Sequence, residues 1–174
     1  MAKHTIIKYP DPVLFHESVR VSSRLEGLSE LVSDMVAVMY EYQGIGLAGP
    51  QVGVAKRIII VESAEHPEQG KRKPLAFLNP KIIRKSGGEE AHEEGCLSLP
   101  GIFVPVKRAR KVEVLCETPE GEEVRIEAEG LGARIFQHEV DHLNGMLIIH
   151  RISRFRRMKV RKELRKLDED FFAK

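Results

Sequence analysis

The chain has 174 residues, 42% hydrophobic and 31% charged, the size of one domain with enough apolar content for a packed core, so wholesale disorder is excluded. Its 28 basic and 26 acidic residues nearly cancel, Trp is absent and aromatics are 6%, which argues against a surface that wraps nucleic acid or stacks bases. The longest charge-free run, residues 42–55, is broken by glycines and Pro50 and falls short of the ~18 apolar residues that a membrane span needs.

Ser23 to Tyr42 reads as the first long helix, because Leu28, Leu31, Val32, Met35, Met39 and Tyr42 recur at spacings of three and four. Ser23 and Glu26 fit a capping box, and Gly44 stands where a helix often stops. Gly44 to Gln51 follows, with three glycines and Pro50 specifying an irregular backbone that can approach a ligand closely. Gln51 closes this loop with an amide that can donate to an oxygen. The loop lacks the Lys-Ser/Thr ending and preceding strand of a phosphate-binding loop, and its plainer reading is a helix-to-strand connection.

Arg57–Val61 is a short apolar strand, Glu62–Pro74 a charged surface loop, and Ala76–Arg84 a second strand broken at Asn79-Pro80. Glu94-Gly95-Cys96-Leu97-Ser98 is a Gly-flanked loop between strands. Lys111–Thr118 alternates Val112, Val114 and Cys116 on one face, and Glu122–Glu129 answers with Val124 and Ile126, so the two form an antiparallel hairpin. Leu131–Leu143 and Ser153–Phe172 read as helices. The fold class expected is α+β, with antiparallel sheets around a central helix, residues 131–143, and a C-terminal helix.

The chemistry concentrates in His138-Glu139-Val140-Asp141-His142. Residues four apart share a helix face, so His138 and His142 can hold one divalent metal, and Glu139 can take a proton from an activated water. Leu131, Ile135, Phe136 and Leu143 make this a core helix, where polar side chains need a reason to be present. A catalytic site of this kind needs a third protein ligand. Position 148 is Ile, which excludes a third His at the metzincin spacing, and Glu163 sits among Arg161, Lys162, Arg165 and Lys166. Cys96 is the better candidate, its plainer reading being a buried small hydrophobe, as for Cys116. His92 and His150 remain open as a fourth ligand of a closed, structural site.

Gly44–Gln51, Glu94–Ser98 and Gln137–His142, in this order, resemble the motifs of the peptide deformylases: Gly-x-Gly-Leu-Ala-Ala-x-Gln, Glu-Gly-Cys-Leu-Ser and Gln-His-Glu-x-x-His. The opening Tyr9–Leu14 is also similar, and the resemblance spans roughly residues 5 to 150 in collinear order. It implies an amidohydrolase that removes the formyl group from formyl-methionine at the start of nascent peptides. By the same resemblance Cys96, His138 and His142 are metal ligands, and Glu139 is the general base. Gln51 and the Leu97 amide face the reacting oxygen, and Ile45, Gly46, Gly95, Leu131 and Ile135 contact the substrate. The implied metal is ferrous iron, although thiolate and imidazole also suit zinc, nickel and cobalt. Gly49 stands where the family usually has Ala, which predicts a looser loop. Gly132 and Arg134 stand where larger apolar residues are expected.

A small zinc endopeptidase shares the metal helix but leaves the Gly44–Gln51 loop and Cys96 unexplained. Residues 1–150 are read as the catalytic unit and 151–174 as a basic extension of the same domain. This tail holds ten bases against four acids, or +6, leaving −4 for the rest of a chain whose net charge is +2. Val160, Leu164, Leu167 and Phe171 form a stripe that can dock on a partner or on the chain's own core. The plainer reading of this segment is a solvated terminal helix. The resemblance, to a family some of whose members bind the ribosome through such a helix, adds the ribosome as an expected partner, and no membrane or sequence-specific nucleic acid is expected. Two cysteines and an amino terminus without an apolar stretch lead to the expectation of a reduced, cytoplasmic setting.

Overall fold

A computed structural model describes residues 4–63 and 73–173. The first helix, α1, spans Leu28–Glu41. It begins beyond the Ser23–Glu26 pattern because Gly27 takes a left-handed φ of +74°, and the Ser22 hydroxyl instead accepts from the Arg24 amide in a preceding turn. At the other end Gln43 takes a φ of +56°, and the Gln43 and Gly44 amides donate back to the carbonyls of Tyr40 and Met39. This pair of bonds satisfies carbonyls that the helix leaves open.

The expected loop at Gly44–Gln51 contains a short strand, β1 (Gly46–Ala48), followed by a tight turn at Gly49–Val52. Then come β2 (Ile58–Ser63), β3 (Lys73–Cys96), β4 (Leu99–Glu117) and β5 (Glu123–Glu129). Each strand pairs antiparallel with its neighbour in sequence, so among the described residues one five-stranded sheet stands where several were expected. Of the insert read as a loop, residues 64–72 lie outside the described residues, while Glu62, Ser63, Lys73 and Pro74 belong to β2 and β3 in register.

Two strands run much farther than the segments read as strands from the sequence. β3 is 24 residues long and β4 is 19. The register shifts at Leu78/Lys81, where Asn79 takes a φ of +52°, and at Ser86/Glu89, where Gly87 and Gly88 take positive φ. Such bulges let a strand bend without ending. Asn79-Pro80 is therefore a bulge and not a break. The Asn79 side chain is buried, accepting from the Val21 amide and donating to its carbonyl. The Glu94–Ser98 segment is likewise strand up to Cys96, with only Leu97 and Ser98 forming the turn into β4.

The second helix, α2, spans Gly130–Leu143. The single tail helix expected is two, α3 (Arg154–Lys159) and α4 (Arg161–Phe172), parted at Val160. Ser153 caps α3 by accepting from the Arg156 amide. The break turns Val160, Leu164 and Leu167 onto the chain's own core, where Leu164 is buried.

Residues 58–61 of β2 are all apolar because both faces of the strand are covered there. Ile59 and Val61 pack with Ala133, Ile135 and Phe136 of α2, whereas Ile58 and Ile60 pack with Met35, Val38 and Met39 of α1. A third cluster joins Leu99, Ile102, Val104 and Val106 of β4 to Leu147–Ile149 and Leu164. Each fully buried aliphatic contributes about 1.5–3 kcal/mol. α2 lies over the sheet with its inward face near β1 and the end of β3, and that crossing positions the site.

Candidate metal centre

His138 and His142 stand one turn apart on α2, and Cys96 comes from the end of β3. Their ligand atoms all lie within 4.8 Å of one another, and Cys96 Sγ is 3.3 Å from His142 Nε2. A tetrahedral ion with bonds of about 2.0–2.3 Å separates its ligand atoms by about 3.3–3.8 Å, so this donor set fits one divalent ion. His138 turns its other nitrogen, Nδ1, to Glu94 Oε2 at 3.1 Å, the relation that fixes the tautomer of a metal-binding imidazole. His92 and His150 lie outside the cluster. His92 pairs with Glu90 at 3.0 Å, and His150 Nδ1 accepts from the Leu147 amide.

Glu139 is 4% exposed, and its Oε2 has no hydrogen-bond partner among the described residues. Burial pushes its carboxyl up to about 7; His138 and Arg108 oppose the rise, and Glu94 and Asp141 add to it. A carboxyl in that range can both accept and return a proton near neutrality. Burial works against a charge on His138, but the Cys96 sulfur and Glu94 carboxylate outweigh it and raise its pKa. Burial, then the charges of His138 and Arg108, lowers the pKa of His142.

Gln51 is buried. Its Oε1 accepts from the Ala48 amide at 2.9 Å, which aims Nε2 at Ser98 Oγ, 3.3 Å away, and at Cys96 Sγ, 3.7 Å away. The remaining expected residues meet in one cleft of about 600 Å³: Ile45, Gly46, Gly95, Leu97, Leu131 and Ile135 line it together with His138, Glu139 and Gln51. Ile135 is buried at its floor, and Leu131 is 60% exposed at its rim. A Cβ on Gly95 would stand 2.6 Å from the Phe103 ring, so glycine there admits that ring against the strand. Gly49 is not a loosening. A Cβ there would stand 2.6 Å from the carbonyl oxygens of both Val54 and Lys56, so the turn is closed around a bare Cα.

Sequence reasoning missed the charges behind the Cys96, His138 and His142 group. Arg108, 4% exposed at its side chain, forks onto Glu94 through Nε at 3.0 Å and Nη2 at 2.9 Å, and reaches Asp141 Oδ2 at 2.5 Å. Asp141 in turn is held by Arg151. Burial alone would raise the Glu94 carboxyl, but His138 and Arg108 bring it down to about 2. One signal was available. Arg108 continues the inward face of Val104 and Val106 at period two, and a charge on a buried face requires a partner. Arg134, at a position where the family was expected to carry a larger apolar residue, also donates to Glu94, at 2.6 Å. Cys116 is buried in the sheet and away from this group.

The polypeptide deformylase family matches residues 3–158. The chain is 44% identical over 164 residues to a peptide deformylase of Acidobacterium capsulatum, covering 93% of this chain and 94% of that one. It is 42% identical over 156 residues to that of Thermotoga maritima, covering 90% and 91%. Among solved structures, a plant peptide deformylase superposes with a TM-score of 0.90 at 37% identity, covering 98% of this chain and 92% of the other. The Plasmodium falciparum peptide deformylase superposes with a TM-score of 0.88 at 38% identity, covering 97% of each.

Proposed function

The chain belongs to the polypeptide deformylase family, and from that premise we propose that Cys96, His138 and His142 hold one divalent ion, ferrous iron in the native enzyme, with Glu139 as general base and acid. The enzyme is a hydrolase that removes the formyl group from the formyl-methionine of newly synthesised proteins. The observation that carries the site assignment is the convergence of Cys96 from β3 with two imidazoles of α2, directly beside a buried carboxyl of raised pKa.

When bound, the ion supplies the Lewis acidity that makes hydroxide available from water near neutral pH. Glu139 accepts the proton of that water and delivers it to the departing amine. Gln51 Nε2, aimed by the bond from the Ala48 amide to Oε1, donates to the formyl oxygen as negative charge grows on it, together with the Leu97 amide. Loss of one such donor costs about 10²–10³ in rate. The methionine side chain enters the cleft between Ile45, Leu131 and Ile135, whose lining also includes Gly46 and Gly95 at the substrate. Zinc, nickel and cobalt suit the same ligands, and iron is chosen on the resemblance.

We read residues 1–150 as the catalytic unit and 151–174 as an extension of the same domain. The outward bases of α4 meet the ribosome, and the enzyme works in the cytoplasm. Elemental analysis after anaerobic purification, paired with hydrolysis of a formyl-Met peptide and of an internal peptide bond, tests the reading. One equivalent of iron and activity on the formyl peptide alone are expected. A protein that is fully active without bound metal overturns the assignment.

A further inference from the structure

Arg134 stands one helical turn before His138 on α2, and both side chains reach the same carboxylate. Arg134 Nη1 donates to Glu94 Oε1 at 2.6 Å, while His138 Nδ1 meets Oε2 at 3.1 Å. The Arg108 fork occupies the far side of that carboxylate and is itself fixed by Asp141. Each oxygen of Glu94 is therefore shared between Arg108 and one residue of α2. Arg134 also donates from Nη1 to the Val106 carbonyl at 3.0 Å and from Nη2 to the Glu90 carbonyl at 2.9 Å. Its guanidinium thus ties α2 to both β3 and β4 beside the metal ligands. The same side chain borders the substrate cleft next to Leu131 and Ile135, and 13% of it is exposed.

We propose that Arg134 is a positioning residue that holds the Glu94 carboxylate against His138, and so aims the His138 imidazole at the ion while forming part of the cleft wall. The proposal rests on the assignment of Cys96, His138 and His142 as the metal ligands. Charge-assisted bonds to a planar guanidinium fix both distance and plane, which neither an apolar residue nor a point charge reproduces. With Arg134 absent, Glu94 keeps Arg108 but loses the tether on its α2 side, and the imidazole is free to turn with it.

The test uses the full chain with Arg134→Met, which keeps a long stem and removes the donors, and Arg134→Lys as the conservative variant. Affinity for Co(II) is measured by competition with a chromophoric chelator, the electronic spectrum of the cobalt-loaded protein is recorded, and kcat and KM are separated. Arg134→Met is expected to weaken Co(II) binding about 10–100-fold, to shift the cobalt bands, and to lower kcat more than it raises KM, with partial recovery in Arg134→Lys. In a Glu94→Gln background the same substitution should add little, because its effect passes through Glu94. Parent-like affinity and spectrum with a change in KM alone would make Arg134 a wall residue only and overturn the proposal. An undiminished effect in the Glu94→Gln background overturns it as well. Should Arg134→Met not fold, Arg134→Gln is read by the same affinity and spectrum. Parent-like metal binding by His138→Ala would instead strike the ligand assignment on which the proposal stands.

Discussion

Gly46 and Glu139 meet across β1 and α2 so closely that a Cβ on Gly46 would stand 2.4 Å from Glu139 Oε1 and 2.9 Å from Ile135 Cγ2. The nearer obstruction, Glu139 Oε1, is the end of a flexible side chain, and no backbone atom is among the obstructing atoms, so a methyl there displaces the carboxylate and presses on the Ile135 methyl. Gly46→Ala should therefore fold and load metal normally while kcat falls by about 10²-fold or more, the loss expected when a general base is displaced. Metal content and steady-state kinetics on a formyl-Met peptide check this, and an unchanged kcat refutes it.

Glu139→Gln removes the base and no ligand, so metal content should stay at the parent level while turnover falls by about 10²–10⁴-fold. The substitution also has a pH signature in the metal-free protein. The carboxyl sits at about 7, above its ordinary 4.5, so the folded state holds this proton more tightly than the unfolded chain. Ionisation then opposes folding increasingly from pH 4.5 to 7 and fully above 7, while below 4.5 both states are protonated. Metal-free Glu139→Gln should accordingly melt higher than the parent above pH 7 and like it below pH 4.5. The opposite order would contradict the burial of an ionisable base.

The two cysteines should separate by chemistry. Cys96→Ala is expected to lose metal and activity together, whereas Cys116→Ala changes little. Cys116 is 2% exposed, and burial, with Glu117 adding, pushes its thiol up to about 11. After chelation, iodoacetamide at pH 8 should therefore modify Cys96 and leave Cys116 intact in the native protein, as read by peptide mapping. Reversed labelling would transfer the third ligand to Cys116.

Deleting the tail removes more than charge, because Leu164 closes the cluster that backs β4. Leu164→Ala should destabilise the fold by about 2–5 kcal/mol in chemical denaturation. Replacing the exposed Arg161, Lys162 and Lys166 by Gln should leave stability and hydrolysis of short formyl peptides intact while weakening salt-sensitive co-sedimentation with ribosomes. Equal co-sedimentation at low salt would remove the ribosome from the proposed partners.

The site was legible where its chemistry lies in short stretches of chain. His138, Glu139 and His142 declare themselves by helical spacing, and Cys96 and Gln51 stand in Gly-rich segments whose backbones must approach something. The supporting charges were not legible as a set, since Glu94 and Arg108 are 14 residues apart and Arg108 and Asp141 are 33 apart, joined only through the fold. Ser23–Glu26 looked like a cap because local propensity favours it, but the left-handed Gly27 places the start of α1 later. The length of β3 was hidden for another reason: residues 89–93 are exposed on both faces and leave no apolar alternation on that strand to read. β4 did carry one, at Ile102, Val104 and Val106, ahead of the segment read as a strand.

The double-sided burial of β2 has a kinetic consequence. Ile58 and Ile60 serve one core and Ile59 and Val61 the other, so neither α1 nor α2 can detach without uncovering a face of the same strand. The two halves must then open as one cooperative unit, and their amide protons should report a single opening free energy in place of two. In native-state hydrogen exchange, the amides of residues 58–61 should be the last to trade for deuterium, at the rate of global unfolding. α2, leaning on that strand, shares its persistence through Ala133, Ile135 and Phe136.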